Sequence, residues 1–321
     1  MVSLPHLLLE SVVGCVPANA ADNLSILSGL VGSAKAEAIV KSTGFPTRRV
    51  ATNGATVYDL ALPAARKALE GVEAADVGGV VAVTFSNPAR FPALAVRLQH
   101  ALGLPHGVAA LDLSLACGGY PYGLFVAGQL AAATGRKVLL VDGDVQSAHV
   151  DAEDVNTLAV MGDAATATLV SAPPSAAPAH FDFYTDGSGA DVLRCGADGK
   201  IRMDGFSVFR FVAGPVTSFL ADFLAASPQA PSIFVPHQAN MYMVRQLAKA
   251  LGLEGSLLTS GEKYANPGSC SVPLTIAANP SAAGLALVAG FGAGLAAAAA
   301  VVELPASCRR EMCLMQSSGQ G

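Results

Sequence analysis

A cysteine stands where an apolar segment runs into a helical one. Residues 111–120 read LDLSLACGGY, so Cys117 follows a predicted strand and opens a predicted helix. At a helix N-terminus, unpaired backbone N–H groups and the positive end of the helix dipole favour a thiolate, the form of cysteine that attacks carbonyl carbons. A single cysteine in such a place is more often a buried structural residue. Cys117 is therefore a candidate nucleophile if partners accompany it, and Cys15, Cys195 and Cys270 are interpreted as structural.

Two further polar residues stand at the ends of predicted elements. His237 follows a short predicted strand at residues 232–235, and Asn266 begins an Asn-Pro-Gly turn before another predicted helix. A thiol, an imidazole and a carboxamide are the groups that thioester chemistry needs. A papain-like cysteine protease would also use Cys, His and Asn, and the spacing alone does not exclude it. The chain has no tryptophan, however, and it carries Cys117 far from its N-terminus, which disfavours a protease.

The segments around these residues alternate between strand-like and helix-like patterns. Apolar runs with β-branched residues predict strands at residues 77–85, 108–113 and 137–141. Helical patterns lie between them, at residues 92–102 and 118–134. This alternation indicates an α/β fold whose strands are buried on both faces.

A small, proline-rich segment at residues 171–178 marks a boundary, because the alternating pattern stops there and resumes after it. We predict an N-terminal half over residues 1–172, a C-terminal half over residues 173–304 and a flexible tail over residues 305–321.

Two apolar segments resemble membrane or targeting signals. The stretch at residues 7–20 is like a secretory signal, but Glu10 interrupts it and no Lys or Arg precedes it, which favours a first strand ending at Pro17. The uncharged stretch at residues 282–302 is long enough to span a bilayer. It consists mainly of alanine and glycine, so we predict two buried strands joined by a glycine turn.

Composition excludes several classes of function. The 321 residues carry a net charge of -5 and no tryptophan, so neither a basic footprint for nucleic acid nor a base-stacking surface is evident. The six cysteines form no CxxC pair, which indicates a reducing cytoplasm rather than disulfides or zinc. An acidic run lacks the spacing of a calcium loop and is interpreted as a solvated loop without a metal. Its members are Asp142, Asp144, Asp151, Glu153 and Asp154.

The motifs together resemble β-ketoacyl-acyl-carrier-protein synthase III and its relatives in the thiolase superfamily. The resemblance runs from about Gly14 to Val302 and is carried by three segments. These are ACGGY at residues 116–120, VPHQAN at residues 235–240 and ANPGS at residues 265–269. Shorter supporting matches are TGF at residues 43–45, RFP at 90–92, GDA at 162–164, DGFSVF at 204–209 and GAG at 292–294. The resemblance implies a duplicated five-layered α/β/α/β/α sandwich and a homodimer.

The same resemblance implies a mechanism. Cys117 would take an acyl group from a thioester, with backbone N–H groups of Cys117 and Ala293 holding the negative oxygen. His237 and Asn266 would then each donate a hydrogen bond to a malonyl thioester as carbon dioxide leaves, and the resulting carbanion would attack the acyl group. The reaction would be a decarboxylative Claisen condensation on acyl thioesters of coenzyme A or acyl carrier protein, with no further cofactor.

Substrate-binding residues are expected around this centre. Phe91 stands where the family often extends a side chain across the dimer to close the acyl tunnel, and Arg245 and Lys249 lie where relatives dock the acidic carrier protein. Lys41 and Arg48, followed by Arg49, would meet phosphate groups of the donor.

The sequence also departs from the family pattern. Ala38 and Ser42 stand where typical members have a Trp and an Arg that grip the adenine of coenzyme A, so a protein-borne acyl donor is expected. The family's Gly-Asp-Gly-Ala-Gly element is GDAAT at residues 162–166, which predicts a reshaped pocket. We therefore expect a specialised pathway rather than the initiation of fatty-acid synthesis. Two alternatives remain: acyl transfer to an alcohol or amine with His237 as general base, and a non-catalytic subunit of a heteromeric synthase.

Overall fold

The structure is a computed structural model and describes residues 1–315. Its strands are β1 (Val2–Leu4), β2 (Leu8–Pro17), β3 (Ala20–Asp22), β4 (Thr47–Arg49), β5 (Val77–Val83), β6 (Ala109–Leu113), β7 (Lys137–Val145), β8 (Asp163–Ser171), β9 (Ala179–Thr185), β10 (Leu193–Cys195), β11 (Ile201–Met203), β12 (Ile233–Pro236), β13 (Gly284–Gly292), β14 (Ala296–Leu304) and β15 (Arg309–Met315). Its helices are α1 (Asn23–Val31), α2 (Ser33–Thr43), α3 (Val57–Ala68), α4 (Leu94–Ala101), α5 (Gly119–Thr134), α6 (Val155–Leu158), α7 (Gly205–Phe211), α8 (Thr217–Ala226), α9 (Met241–Ala250), α10 (Gly261–Tyr264) and α11 (Ser271–Ala278).

Two mixed sheets form the framework. The first has the order β15-β2-β8-β7-β5-β6, and the second has the order β1-β9-β14-β13-β12. In each sheet parallel and antiparallel pairs occur together: β7, β5 and β6 run parallel, whereas β8 runs antiparallel to both of its neighbours. In the second sheet β12 is parallel to β13, and the other pairs are antiparallel. Two short hairpins, β3–β4 and β10–β11, lie outside these sheets.

Helices fill three layers around the sheets. α5 and α11 lie between the sheets, where Leu124 and Ile276 share one apolar cluster with Val83 of the first sheet and Val288 of the second. α3 and α4 cover the outer face of the first sheet, and α8 and α9 cover the outer face of the second. The predicted five-layered α/β/α/β/α sandwich is confirmed.

The sequence of β5 explains its central place. Every residue of VGGVVAV is buried, with Val81 and Val83 facing the central helices and Val80 and Ala82 facing α3 and α4. Because successive side chains of a strand point to opposite faces, a strand covered on both faces must be apolar throughout. The apolar run that predicted this strand is the direct result.

The ends of the described chain cross between the sheets. β1 pairs antiparallel with β9 in the second sheet, whereas β15 pairs parallel with β2 in the first. The predicted flexible tail is therefore wrong for residues 309–315, because β2 supplies backbone partners that the local pattern RREMCLM does not reveal. The last part of that predicted tail, residues 316–321, lies outside the described residues.

The structure also answers the questions about membrane-like segments. β13 and β14 form the predicted antiparallel pair around a glycine turn, and the apolar N-terminal segment is the buried strand β2 ending at Pro17. One other stretch, Gly205–Ala226, is long and apolar enough to cross a membrane by length and composition. Leu220 and Phe223 of this stretch pack against the second sheet, and 28% of its apolar window is buried.

Candidate active site

Cys117 lies in a tight turn between β6 and α5. Ala116 before it has a φ of 39°, in the left-handed region that alanine rarely adopts, and one 3-10 turn then leads into the helix. The end of β13 passes directly against this turn, since a Cβ on Gly292 would lie 2.7 Å from the Cβ of Cys117. Cys117 is only 6% exposed. The fold thus holds a nearly buried thiol at the start of a long helix between the two sheets.

His237 directly follows β12 and is held from two sides. Its backbone N–H donates to the carbonyl of Ala289 at 2.7 Å, and its Nδ1 lies 2.7 Å from the Oγ of Ser271. The ring of Phe291 packs edge-on against the imidazole, with the ring centres 5.4 Å apart. Burial lowers the pKa of His237 to about 4, although a hydrogen bond with the backbone of Gly268 acts in the opposite direction. The imidazole is therefore neutral at physiological pH.

Asn266 is fixed by its backbone and by its side chain. Its N–H donates to the carbonyl of Val160 at 3.0 Å, and its carbonyl accepts from the N–H of Gly162 at 2.9 Å. Its Oδ1 accepts a hydrogen bond of 3.0 Å from the N–H of Gly268, and its Nδ2 donates over 3.4 Å to the carbonyl of Ala239. Because the amide oxygen is held by the backbone, the amide nitrogen is the group that Asn266 offers as a donor.

Cys117, His237 and Asn266 line the same small cavity of about 90 Å³. A larger cavity of about 450 Å³, mainly apolar, continues on one side and shares Cys117, Met161 and Leu193 with it. A surface pocket of about 460 Å³ lies on the other side and shares Gly205, Asn240 and Met243. We call the cavity of about 450 Å³ the inner cavity and the pocket of about 460 Å³ the mouth. The arrangement suits a linear substrate that enters through the mouth and places one end in the inner cavity.

The ionisation of Cys117 differs from what the helix N-terminus predicts. Burial, together with the charge of Asp144, raises the pKa of the Cys117 thiol to about 12, and the contribution of the Cys117 backbone, which lowers it, is smaller. A resting thiolate is therefore not favoured, and this expectation from the sequence is wrong. The thiol must lose its proton during the reaction.

Comparison with known proteins identifies the family. The family model described as "3-Oxoacyl-[acyl-carrier-protein (ACP)] synthase III" matches residues 111–199. The model of the C-terminal part of the same family, "3-Oxoacyl-[acyl-carrier-protein (ACP)] synthase III C terminal", matches residues 225–304. The beta-ketoacyl-[acyl-carrier-protein] synthase III of Shewanella oneidensis is 32% identical over 287 residues, which cover 82% of this chain and 89% of that protein. The chain belongs to the 3-oxoacyl synthase III family.

Other members agree with this assignment. The beta-ketoacyl-[acyl-carrier-protein] synthase III of Rhodospirillum rubrum is 33% identical over 288 residues, covering 83% of this chain and 88% of its own. The crystal structure of a 3-oxoacyl-(acyl-carrier protein) synthase from Burkholderia xenovorans has a TM-score of 0.93 at 27% identity and covers 98% of both chains. The priming beta-ketosynthase of the R1128 polyketide pathway has a TM-score of 0.86 at 27% identity, over 94% of this chain and 96% of that one. The resemblance stated from the motifs is confirmed.

Two buried carboxyl groups lie behind the catalytic loops of this family member. The strand β7 continues to Val145 instead of ending at Val141 as predicted. Asp142 and Asp144 therefore lie on β7, where both are fully buried, and their assignment to a solvated loop is wrong. The Oδ1 of Asp144 accepts hydrogen bonds of 2.8 to 3.0 Å from the hydroxyl groups of Thr84 and Ser86 and from the N–H groups of residues 85 and 86. Burial nevertheless raises the pKa of Asp144 to about 6, and burial and the neighbouring Asp144 raise that of Asp142 well above its usual range. Within residues 1–315, no group of three or more His, Cys, Asp or Glu side chains is arranged to hold a metal ion.

The basic residues expected to bind substrate separate into two groups. Lys41 and Arg245 line the mouth, and Arg245 also pairs with Glu262 at 3.1 Å. Lys249 is exposed on α9 but is not among the residues that line the mouth. Arg48 is buried, so its assignment to donor phosphates is wrong.

The interactions of Arg48 explain this correction. Its Nε donates to the Oδ1 of Asn23 at 3.1 Å, and the carboxyl group of Asp163 attracts its charge. The neighbouring Arg49 is also engaged, because it donates to the carbonyls of Pro17 and Ala18. Both guanidinium groups thus join loops within the chain.

Phe91 and Ala293 are in contrasting positions. Phe91 is 86% exposed and does not line the inner cavity of its own chain. Ala293 lies in the turn after β13 and lines the inner cavity together with Cys117. Ser271 is the residue that the sequence reasoning missed, although its place as the fifth residue after Asn266, at the start of a helix, could have suggested a role.

Proposed function

We propose that this member of the 3-oxoacyl synthase III family is an acyltransferase that works through an acyl-Cys117 intermediate. The observation that carries the proposal is the shared cavity of Cys117, neutral His237 and Asn266. In the first half-reaction the sulfur of Cys117 bonds to the carbonyl carbon of an acyl thioester. The bond from that carbon to the donor sulfur breaks, and the donor leaves as a thiolate that takes up a proton from water, which balances the proton that Cys117 gave to water before the attack. Backbone N–H groups of Cys117 and Ala293 stabilise the oxyanion in between.

The second half-reaction uses His237 and Asn266. As the bond to the carboxyl group of a malonyl thioester breaks, carbon dioxide leaves and the electron pair moves towards the thioester oxygen. Hydrogen bonds from the ring N–H of His237 and the Nδ2 of Asn266 stabilise this enolate, whose carbon then attacks the acyl carbonyl carbon. The bond from that carbon to the sulfur of Cys117 breaks, and the released thiolate takes up a proton from water. No group other than the two thioesters is required, so we propose that the enzyme uses no cofactor.

The two half-reactions can be tested separately. Intact-protein mass after incubation with acyl thioesters of several lengths reports acylation, and Cys117→Ser should abolish the mass gain. His237→Ala and Asn266→Ala should acylate at close to the normal rate but condense about 100- to 1,000-fold more slowly, as expected for the loss of one oxyanion donor. Equal loss of both half-reactions in the two variants would contradict this division of roles.

We further propose that a carrier protein delivers the acyl group. Ala38 and Ser42 on α2 are exposed and small, so they offer no stacking surface for adenine. The exposed Lys41 and Arg245 at the mouth instead suit an acidic protein. Acylation from acyl carrier protein should therefore exceed acylation from coenzyme A, and Lys41→Glu should slow the former at low salt and much less at high salt. Equal rates from both donors would contradict the proposal.

A homodimer in the cytoplasm completes the proposal. Phe91 exposes nearly its whole ring, and β6 is an edge strand of the first sheet whose residues are all half-buried, so both suit contact with a second copy. The mass of the protein in solution, from light scattering, tests the dimer; Phe91→Ala should shift the preferred acyl length if the ring enters the partner's inner cavity.

All six cysteines are free, as a reducing compartment allows. A specialised pathway is proposed on the missing adenine grip, and complementation of a strain lacking its housekeeping synthase would contradict it.

A further inference from the structure

Ser271 is the first residue of α11 and is completely buried beside His237. Its Oγ lies 2.7 Å from the Nδ1 of His237 and accepts a hydrogen bond of 3.3 Å from the backbone N–H of Gln238. Its own carbonyl accepts from the hydroxyl group of Thr275 at 2.8 Å, which ties Ser271 to the next turn of the helix. Ser271 is therefore a fixed polar contact on the side of the imidazole opposite Nε2.

The direction of the Ser271–His237 hydrogen bond follows from counting protons. A serine hydroxyl group has one proton to donate and can accept up to two hydrogen bonds. Gln238 already donates to this oxygen, so the hydroxyl proton of Ser271 needs an acceptor. Among residues 1–315, the Nδ1 of His237 is the acceptor within hydrogen-bond distance of it.

We propose that Ser271 donates its hydroxyl proton to the Nδ1 of His237 and thereby keeps the imidazole proton on Nε2. Ser271 is then a positioning residue, because it acts on the reaction only through His237. The tautomer of a neutral histidine is set by the hydrogen bond of the ring nitrogen that faces away from the reaction. With Nδ1 occupied as an acceptor, Nε2 carries the imidazole hydrogen. The backbone contact with Gly268 that raises the pKa of His237 then belongs to this Nε2–H, the group that His237 offers to substrate.

This assignment rests on the proposed function and sharpens it. A hydrogen on Nε2 is a donor, which is what the enolate of a malonyl thioester needs. The same hydrogen prevents Nε2 from taking a proton from an alcohol or amine, so it disfavours the alternative in which His237 acts as a general base. The burial that keeps His237 neutral also prevents a second proton from binding to Nδ1.

The tautomer can be measured without any substrate. The ¹⁵N and ¹³C chemical shifts of labelled His237 distinguish hydrogen on Nε2 from hydrogen on Nδ1, and His237→Gln identifies the signal. Wild-type enzyme should show hydrogen on Nε2, and Ser271→Ala should shift part of the population to Nδ1. A wild-type signal with hydrogen on Nδ1 would overturn the proposal.

Kinetics supply an independent readout. Ser271→Ala should slow condensation about tenfold, the value of one neutral hydrogen bond, while acylation of Cys117 stays within about twofold of wild type. Ser271→Thr retains the hydroxyl group and should restore most of the condensation rate. Ser260→Ala is the matched control, because it removes another buried hydroxyl group, which bonds Thr275 at 2.7 Å and does not contact His237.

The outcomes separate this proposal from the proposed function. Equal slowing of acylation and condensation by Ser271→Ala, or the same effect in Ser260→Ala, would mean that Ser271 is merely structural. Hydrogen on Nε2 in an enzyme that acylates but never condenses would support the tautomer and overturn the condensing function.

Discussion

Replacing Gly292 by alanine tests whether the end of β13 fixes the nucleophile. The new Cβ would lie 2.7 Å from the Cβ of Cys117 and 3.6 Å from its Sγ. Carbon atoms pack at about 3.5 Å or more, so the turn or the strand must move by about 0.8 Å. Both are buried between the sheets, and such overpacking costs about 1–3 kcal/mol of unfolding free energy. A displacement of about 1 Å at a reacting group slows a reaction about 100-fold, so acylation should slow by that order.

The assay measures the rate of single-turnover acylation of Cys117 under excess acyl donor, with intact-protein mass spectrometry as the readout. The free energy of unfolding is measured in parallel by urea titration. Gly29→Ala is the control, because a Cβ at that position of α1 meets nothing within 4 Å; it should leave acylation unchanged and raise the unfolding free energy by up to about 1 kcal/mol through helix propensity, the opposite direction to Gly292→Ala. Normal acylation by Gly292→Ala, at normal stability, would show that the position of Cys117 does not depend on this contact.

Three other measurements test the electrostatics and packing described above. Arg48→Ala removes a buried charge that is hydrogen-bonded to Asn23, so the unfolding free energy should fall by about 3 kcal/mol. The KM for the acyl donor should stay unchanged. A raised KM at normal stability would instead indicate that Arg48 binds substrate. Because the pKa of Asp142 is raised in the folded state, folding binds a proton there, and stability should fall as pH rises above the usual carboxyl range. Asp142→Asn should make this slope shallower in urea titrations without abolishing it, because the raised pKa of Asp144 acts in the same direction; an unchanged slope would count against the buried acid. Because the pKa of Cys117 is about 12, the rate of acylation at saturating donor should rise roughly tenfold per pH unit between about pH 6 and 9. A plateau of that rate near neutrality would instead indicate a thiolate that the bound substrate stabilises.

Local pattern was sufficient to place the catalytic candidates. His237 stands directly after β12, Cys117 stands in the short turn between β6 and α5, and Asn266 stands in a turn with Pro and Gly, so their neighbours in sequence mark them as residues at element ends. Elements whose two faces are both covered, such as β5, are also readable, because burial on both faces leaves an uninterrupted apolar run.

Properties that depend on distant segments were not readable. The burial of Arg48 depends on Asn23 and Asp163, and the burial of Asp144 depends on the loop after β5 that donates hydrogen bonds to it. The pKa of Cys117 likewise depends on how completely two sheets close around it, which outweighs the local helix terminus. Arg48 and Asp144 were thus interpreted as exposed from their own segments, and each is enclosed by another part of the chain.

The two halves of the fold are not independent folding units, because each sheet includes a strand from the opposite end of the chain. β2 is made early in synthesis, yet its outer neighbour β15 is made after all of the second sheet, so the backbone edge of β2 waits unpaired until then. β1 waits in the same way for β9. Pairings between such distant segments slow folding, and a fragment that stops after β8 would keep a bare sheet edge prone to aggregation. Neither half could be exchanged with a relative's half without carrying along a strand from the opposite end of the chain.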